Sequence, residues 1–348
     1  MSQESQPPLT NPILDKVDAH SHHVPHGWPE LAEVAGGGAD WPWLKPLTER
    51  EAMIMVGSAE FRRIGDNCWS PEVRLSDMAR SGVTHQVVSP TPVFFGYDRP
   101  PEQAMRVARV FNDLGREMFA DTGEAFSTFC QVPLQDADLA CAELDRCLAN
   151  GHRGVEIGNH VGDRDLDDAG IVTFLQHCAE VGAPVFVHPW DMPNSPRLNR
   201  YMLQWLTGMP AETHLSILSL ILSGAFDRIG DRLRIAFAHG GGSFAFWLGR
   251  VENAWQRSPN VNRGSEKPPS HYLDRILVDS VVFDQRALRL LVDTLGADHV
   301  LLGSDHPYPL GEEPVGQVVE DAEAADWLTA DQAAAIRGGN ARRYLGLA

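Results

Sequence analysis

The chain has 348 residues, 43% of them hydrophobic, enough for two average domains or for one α/β barrel with insertions. Its formal net charge of -18, from 29 basic and 47 acidic residues without a basic stripe, argues against a nucleic-acid partner. Five cysteines (Cys68, Cys130, Cys141, Cys147 and Cys178) with no Cys-x-x-Cys pair argue against a disulfide framework or a thiolate zinc site.

In chain order, the polar extension over residues 1–14 lacks the basic start and apolar core of a signal peptide, and no apolar run approaches the ~20 residues of a membrane span. A cytoplasmic protein without membrane partners is expected. The first predicted strand is Lys16–His20. The segment Pro25–Trp69 breaks the pattern with Gly36-Gly37-Gly38 and Trp41-Pro42-Trp43, and reads as an insertion, a small subdomain or lid. From there strands and helices alternate. Helix Pro71–Ser81 precedes strand Thr84–Ser89, and helix Glu102–Ala120 precedes strand Phe126–Val132. Helix Leu139–Ala149 leads to strand Gly154–Ile157, and helix Asp168–Val181 to strand Pro184–His188. Leu198–Phe226 reads as mostly helical, broken near Pro210, before strand Leu233–His239. Helix Phe244–Gln256, strand Ile276–Asp279, helix Gln285–Leu295, strand Val300–Ser304 and a helical tail Thr329–Leu345 complete the chain. Eight strand–helix units predict a (β/α)8 TIM barrel over residues 15–348, with an insertion at about 25–69 after strand 1.

Such a barrel gathers strand-end residues at its catalytic face. His20 and His22 are two residues apart on a strand, so they share a face and His23 points away. His188 and Asp305 also close apolar runs, and with His20 and His22 they make a donor set suited to zinc or another divalent ion. For Asp305 the structural alternative is a helix cap before Pro307. His239 ends its strand in front of Gly240-Gly241-Gly242, a run without the lysine of a P-loop or the spacing of a dinucleotide loop. It reads as a general acid/base, and a further metal ligand is the competing reading. No lysine stands on strand four to bridge two metals, which favours one ion, and Glu156 there reads as a barrel-interior or surface carboxylate. Arg62, Arg63 and Arg250 are candidates for holding an anionic substrate. Trp190 and Phe94-Phe95 either wall a planar substrate or pack.

These residues carry a resemblance. From about Val17 to Tyr344 the chain resembles the decarboxylase branch of the amidohydrolase superfamily. The most specific blocks are Thr91-Pro92-Val93-Phe94-Phe95-Gly96-Tyr97, Gln131-Val132-Pro133-Leu134-Gln135-Asp136, Ile157-Gly158-Asn159-His160, His188-Pro189-Trp190-Asp191-Met192 and His239 through Phe246. The resemblance implies one Zn2+ per subunit on His20, His22, His188 and Asp305, with a water as a further ligand and no organic cofactor. It makes His239 and Asp305 the catalytic pair, has Arg62 grip a substrate carboxylate, and sends Arg250 into a neighbouring subunit's site in a homodimer. Trp190, Phe94, Tyr201 and Tyr308 would line the substrate. Tyr201 and Tyr308 stand where relatives show Trp and Phe, and His306 where they often show Tyr. The implied reaction is non-oxidative loss of CO2 from a small conjugated carboxylate in tryptophan/kynurenine or nitroaromatic breakdown. The alternatives are hydrolysis of a lactone or amide on the same barrel, or a catalytically silent binding barrel.

Overall fold

Eight short parallel strands form the frame: β1 (Lys16–Asp18), β2 (Val83–Pro90), β3 (Phe126–Cys130), β4 (Gly154–Ile157), β5 (Val185–Val187), β6 (Ile235–Phe237), β7 (Leu277–Asp279) and β8 (Val300–Leu301). Each pairs with the next in sequence. The seam between β8 and β1 is drawn together beyond the strands, where Ala19 N–H donates to Leu302 O at 2.8 Å and Asp305 N–H to His20 O at 2.9 Å. The result is a (β/α)8 barrel. This computed structural model describes residues 15–347 apart from Ala39 and Asn194, so the extension over residues 1–14 lies outside the described residues.

The helices that follow the strands are α1 (Pro71–Ser81), α2 (Pro101–Met118), α3 (Ala137–Ala149), α4 (Ala169–Val181), α5 (Met209–Leu222), α6 (Phe244–Arg257), α7 (Gln285–Leu295) and α8 (Gln317–Ala324). Their starts are written locally. Ser70 accepts from Val73 N–H at 3.3 Å with Pro71 at the first helical position, and Asp136 accepts from Leu139 N–H at 2.9 Å. Alternation along the strands sorts the core. Val155, Ile157, Val185, Val187, Ile235 and Phe237 join the apolar layer under the helices. The residues between them, Phe186 and Ala236, belong to a separate cluster with Val87 and Phe129, and Glu156 is fully buried in the barrel with Oε1 3.7 Å from His22 Nδ1.

Two segments differ from the sequence reading. The insertion contains an antiparallel sheet of three strands, Pro42–Thr48, Glu51–Val56 and Ala59–Gly65. Its Ile54 and Ile64 bury against a second core that includes Phe94, Phe111 and Tyr308, so the sheet is clamped onto the barrel mouth. Residues 198–202 are turns and bends rather than helix; the helix starts at Leu203, passes through a π-helical turn, Gln204–Gly208, and continues into α5. Pro210 follows closely on that π-helical turn, and the helix runs through it rather than breaking there. The helical tail is observed, with Thr329 in a reciprocal capping box with Gln332.

Candidate metal centre

Each donor stands just past the end of a barrel strand. His20 and His22 follow β1, His188 follows β5 and Asp305 follows β8. One ligand atom from each lies within 4.8 Å of all the others. His20 Nε2 is 3.2 Å from His22 Nε2, and Asp305 Oδ1 is 3.4 Å from the former and 3.1 Å from the latter. His20 Nδ1 faces Asp279 Oδ2 at 2.6 Å, and His188 Nδ1 faces Pro189 O at 3.0 Å. With a proton on each Nδ1, the Nε2 lone pairs turn inward. His188 Nε2 and Asp305 Oδ1 are buried without a hydrogen-bond partner. Electron pairs converging on one point without donors fit a divalent cation.

The electrostatics of His22, His188 and Asp305 agree. Burial holds His22 down to about 4 against the pull of Asp305, and burial with neighbouring imidazoles holds His188 well below the usual histidine range. Burial would raise Asp305, but bonds from His20, His22 and His239 outweigh it and keep the carboxyl well below its ordinary range. For His20 burial acts downward, and the bonds to Asp279 and Asp305 overcome it and raise the group to about 10. Three imidazoles and one carboxylate are the donor chemistry of a mononuclear site.

Asp279, which ends β7, ties this centre to its neighbour. Besides His20 it accepts from His239 N–H at 2.9 Å and Gly240 N–H at 2.8 Å. It therefore orients one ligand and holds the corner after β6. That corner is strained, with His239 at φ +57°, and Asp305 beyond β8 shares the strain at φ +59°. Gly242 is at φ +63°, where a Cβ would lie 2.0 Å from Pro210 O, so close packing on α5 requires glycine there. The His239 ring ends with Nε2 3.8 Å from Asp305 Oδ2, beside the donors.

A cavity of about 490 Å³ opens over the donors, lined by His22, His188 and Asp305 with Phe61, Arg62, Trp190, Met192, Met202, Trp205, Met209 and Tyr308. Arg62 comes from the insertion, lies 4.3 Å from the Tyr308 ring centroid, and makes no ion pair among the described residues. Its neighbour Arg63 pairs with Glu51 at 2.6 Å. Trp190 is fixed through its N–H to Asn159 Oδ1 at 2.7 Å, and Asn159 donates to Glu212 at 2.7 Å.

Three sequence candidates sit elsewhere. Phe94 is buried in the second core, stacked on Phe111 at 4.1 Å, because the insertion needs an apolar floor. Tyr201 is 77% exposed on the turn before α5 and does not line the cavity, whereas the next residue, Met202, does. Arg250 is exposed on α6 and outside the cavity of its own chain. His306 pairs with Asp77 at 3.1 Å, and Asp18 accepts from Ser304 and Gln86 inside the barrel. Sequence reasoning missed Asp279, although it closes β7 as the ligands close theirs. It also missed Arg74, a buried guanidinium that donates to Ser21 Oγ at 3.1 Å and to the His22 carbonyl.

A family model described as amidohydrolase matches residues 17–347. The chain is 38% identical to the 2-amino-3-carboxymuconate-6-semialdehyde decarboxylase of Dictyostelium discoideum, covering 95% of this chain and 92% of the relative. It is 33% identical to the enzyme of the same name from Caenorhabditis elegans, over 88% of each. Among solved structures, 5-carboxyvanillate decarboxylase from Novosphingobium aromaticivorans, complexed with manganese and 4-hydroxy-3-methoxy-5-nitrobenzoic acid, superposes with a TM-score of 0.75. It covers 96% of each chain at 19% identity and shares the fold.

Proposed function

The chain belongs to the amidohydrolase family and is a carboxy-lyase, and we propose that it converts 2-amino-3-carboxymuconate-6-semialdehyde to 2-aminomuconate-6-semialdehyde. The proposed ion is one Zn2+ per subunit, held by His20, His22, His188 and Asp305. The proposed unit is a single metal-dependent barrel over residues 15–348, working in the cytoplasm on tryptophan/kynurenine or nitroaromatic breakdown products formed through 3-hydroxyanthranilate.

The observation that carries this reading is Arg62, a guanidinium without an ion-pair partner among the described residues, facing a largely apolar cavity floored by the metal donors. An unpaired cation there calls for an anionic group on the ligand. A divalent ion, when bound, supplies Lewis-acid polarisation and lowers the pKa of a water to about 7. The residues of the chain do the rest. His239 holds a proton beside the donors and delivers it to the substrate carbon that bears the departing carboxylate. The saturated carbon then releases CO2, and the electron pair of the broken C–C bond returns to the conjugated system. The proton gained balances the CO2 lost, so the substrate is its own electron sink and no organic cofactor is called for. Arg62 holds the second carboxylate, while Trp190, Met192 and Trp205 exclude water and restrict the pose.

Arg250 is proposed to complete the site of a partner subunit in a homodimer. It is exposed, and on the same helix Phe246 and Trp247 are 68% and 43% exposed, an apolar face that a second copy would cover. Mixing inactive His239→Ala and Arg250→Ala protomers checks this. Regained activity in the hybrid supports a shared site, and none under verified subunit exchange argues against one. The aromatic walls Phe61, Trp190, Trp205 and Tyr308 favour, as a second reading, decarboxylation of a related carboxylated aromatic.

The test is incubation of zinc-loaded protein with freshly generated substrate, following absorbance and CO2 together. Matching loss of absorbance and release of CO2, abolished by chelation, is expected. A folded, metal-loaded protein that leaves the compound to its spontaneous cyclisation would sink the assignment.

A further inference from the structure

Tyr308 is shared by two cavities. On one side is the 490 Å³ space over the metal donors, and on the other a larger cavity of about 1280 Å³ between the insertion, α1 and the chain after β8. The larger cavity is acidic, with Asp66, Asp77, Glu312 and Glu313 in its lining, and Arg62 is absent from it. The Tyr308 ring is buried, and its hydroxyl is hydrogen-bonded to Thr91 Oγ1, at the end of β2. Thr91 Oγ1 in turn reaches His23 O at 3.1 Å, so the latch is anchored on the backbone that carries the histidine pair. One face of the ring packs towards the His22 imidazole, with centroids 5.5 Å apart, and the Arg62 guanidinium lies 4.3 Å from the ring centroid.

A guanidinium over an aromatic face is attracted by the ring quadrupole, and a flat ring fixes the plane in which its donors fan out. Arg62 stands on the edge strand of the insertion sheet, Ala59–Gly65, and its guanidinium lies farther from the Phe61 ring centroid, at 5.4 Å, than from that of Tyr308.

We propose that Tyr308 is the positioning residue for Arg62. Latched by Thr91, it forms the shelf that aims the guanidinium at a second anionic group, and so makes the cavity select dicarboxylates over monocarboxylates of the same skeleton. This rests on the proposed function only in taking the cavity over the donors as the substrate site. Phenylalanine at position 308 would leave Thr91 without that partner.

The test is binding, read by calorimetry on metal-loaded protein with trans,trans-muconate and sorbate, which share one six-carbon diene and differ in the second carboxylate. The wild-type protein is expected to prefer muconate by about 10- to 100-fold. Tyr308→Phe and Thr91→Val should each cut that preference by about three- to tenfold through weaker muconate binding, with metal content unchanged and sorbate affinity changed much less. The double variant should be no worse than either single one, because both remove the same latch. Equal losses for both ligands, additive losses, or unchanged selectivity would each overturn the proposal. A wild-type protein indifferent to the second carboxylate would overturn it too, whatever the CO2 assay returns. Selectivity that behaves as described in a protein inactive on the semialdehyde would leave this inference standing and remove only the substrate assignment.

Discussion

The barrel mouth and the insertion over residues 25–69 meet at one cavity, but they hold their polar groups in opposite ways. At the mouth, donors stand on backbone fixed by parallel strands, and shared hydrogen-bond partners brace the segments that carry them. Asp279 serves His20, His239 and Gly240 at once, and Arg74 pins the segment between His20 and His22. The insertion brings Arg62 on a small antiparallel sheet, supported by packing and one aromatic shelf. The difference separates two tasks. A metal site needs lone pairs held to within a fraction of an ångström, which a barrel rim supplies. Recognition of a carboxylate tolerates looser support and can change by altering one hairpin without disturbing the metal.

The first way to break this division is to attack the mouth. His22→Ala should lose the metal and lower CO2 release by at least about 10⁴-fold, checked by elemental analysis beside the rate. A variant that keeps both metal and rate would place the ion elsewhere. His239→Ala should cost on the order of 10²–10⁴ in turnover while one metal per chain remains, and loss of the metal with it would make His239 a ligand rather than a proton carrier. Attack on the insertion should look different. Arg62→Ala should raise KM about 10- to 100-fold with metal affinity unchanged, and a metal loss there would erase the contrast between the regions. Asp279→Asn should weaken metal affinity by about 10- to 100-fold, measured by competition with a chelator, without selectivity between mono- and dicarboxylates.

The smallest effect on turnover concerns the scaffold. His152 is buried before β4 and held down to about 4 chiefly by desolvation, with its ring facing Asn112 O at 3.2 Å. A base depressed in the folded state stabilises the fold fully above its unfolded value near 6.5. That contribution, on the order of 3 kcal/mol, is lost as pH falls through about 4. Unfolding followed between pH 7 and pH 4 should show the loss, and His152→Gln should flatten that part of the profile. An unchanged slope would assign acid sensitivity to other groups.

How much of this is legible in the sequence follows the same division. His20, His22, His188, His239 and Asp305 each end an apolar run, and strand ends in such a barrel share one face, so the linear pattern is already a spatial one. Asp279 ends a run too, but a lone aspartate there reads equally as a turn residue until its partners His20, His239, Gly240 and Val281 are seen. The insertion strands were illegible because Pro42, Pro46 and the glycines around them mask the alternation, and because their apolar face is completed only by Phe94 and Phe111, distant in sequence. Aromatic residues give no sign of whether they wall a cavity or fill a core. Phe94 therefore reads as a substrate contact and packs as a floor, and Tyr201 reads as a wall and stands in solvent. Position 308, where an aromatic also reads as a substrate contact, shows its hydroxyl partner Thr91 only in three dimensions.

The central claim, that one divalent ion on the barrel rim drives decarboxylation, is tested most directly by titrating metal-free protein with zinc while recording CO2 release from 2-amino-3-carboxymuconate-6-semialdehyde. The account predicts no release without metal and a linear rise that stops at one ion per chain. Release from the metal-free protein, or a rise that continues to two ions, would contradict it.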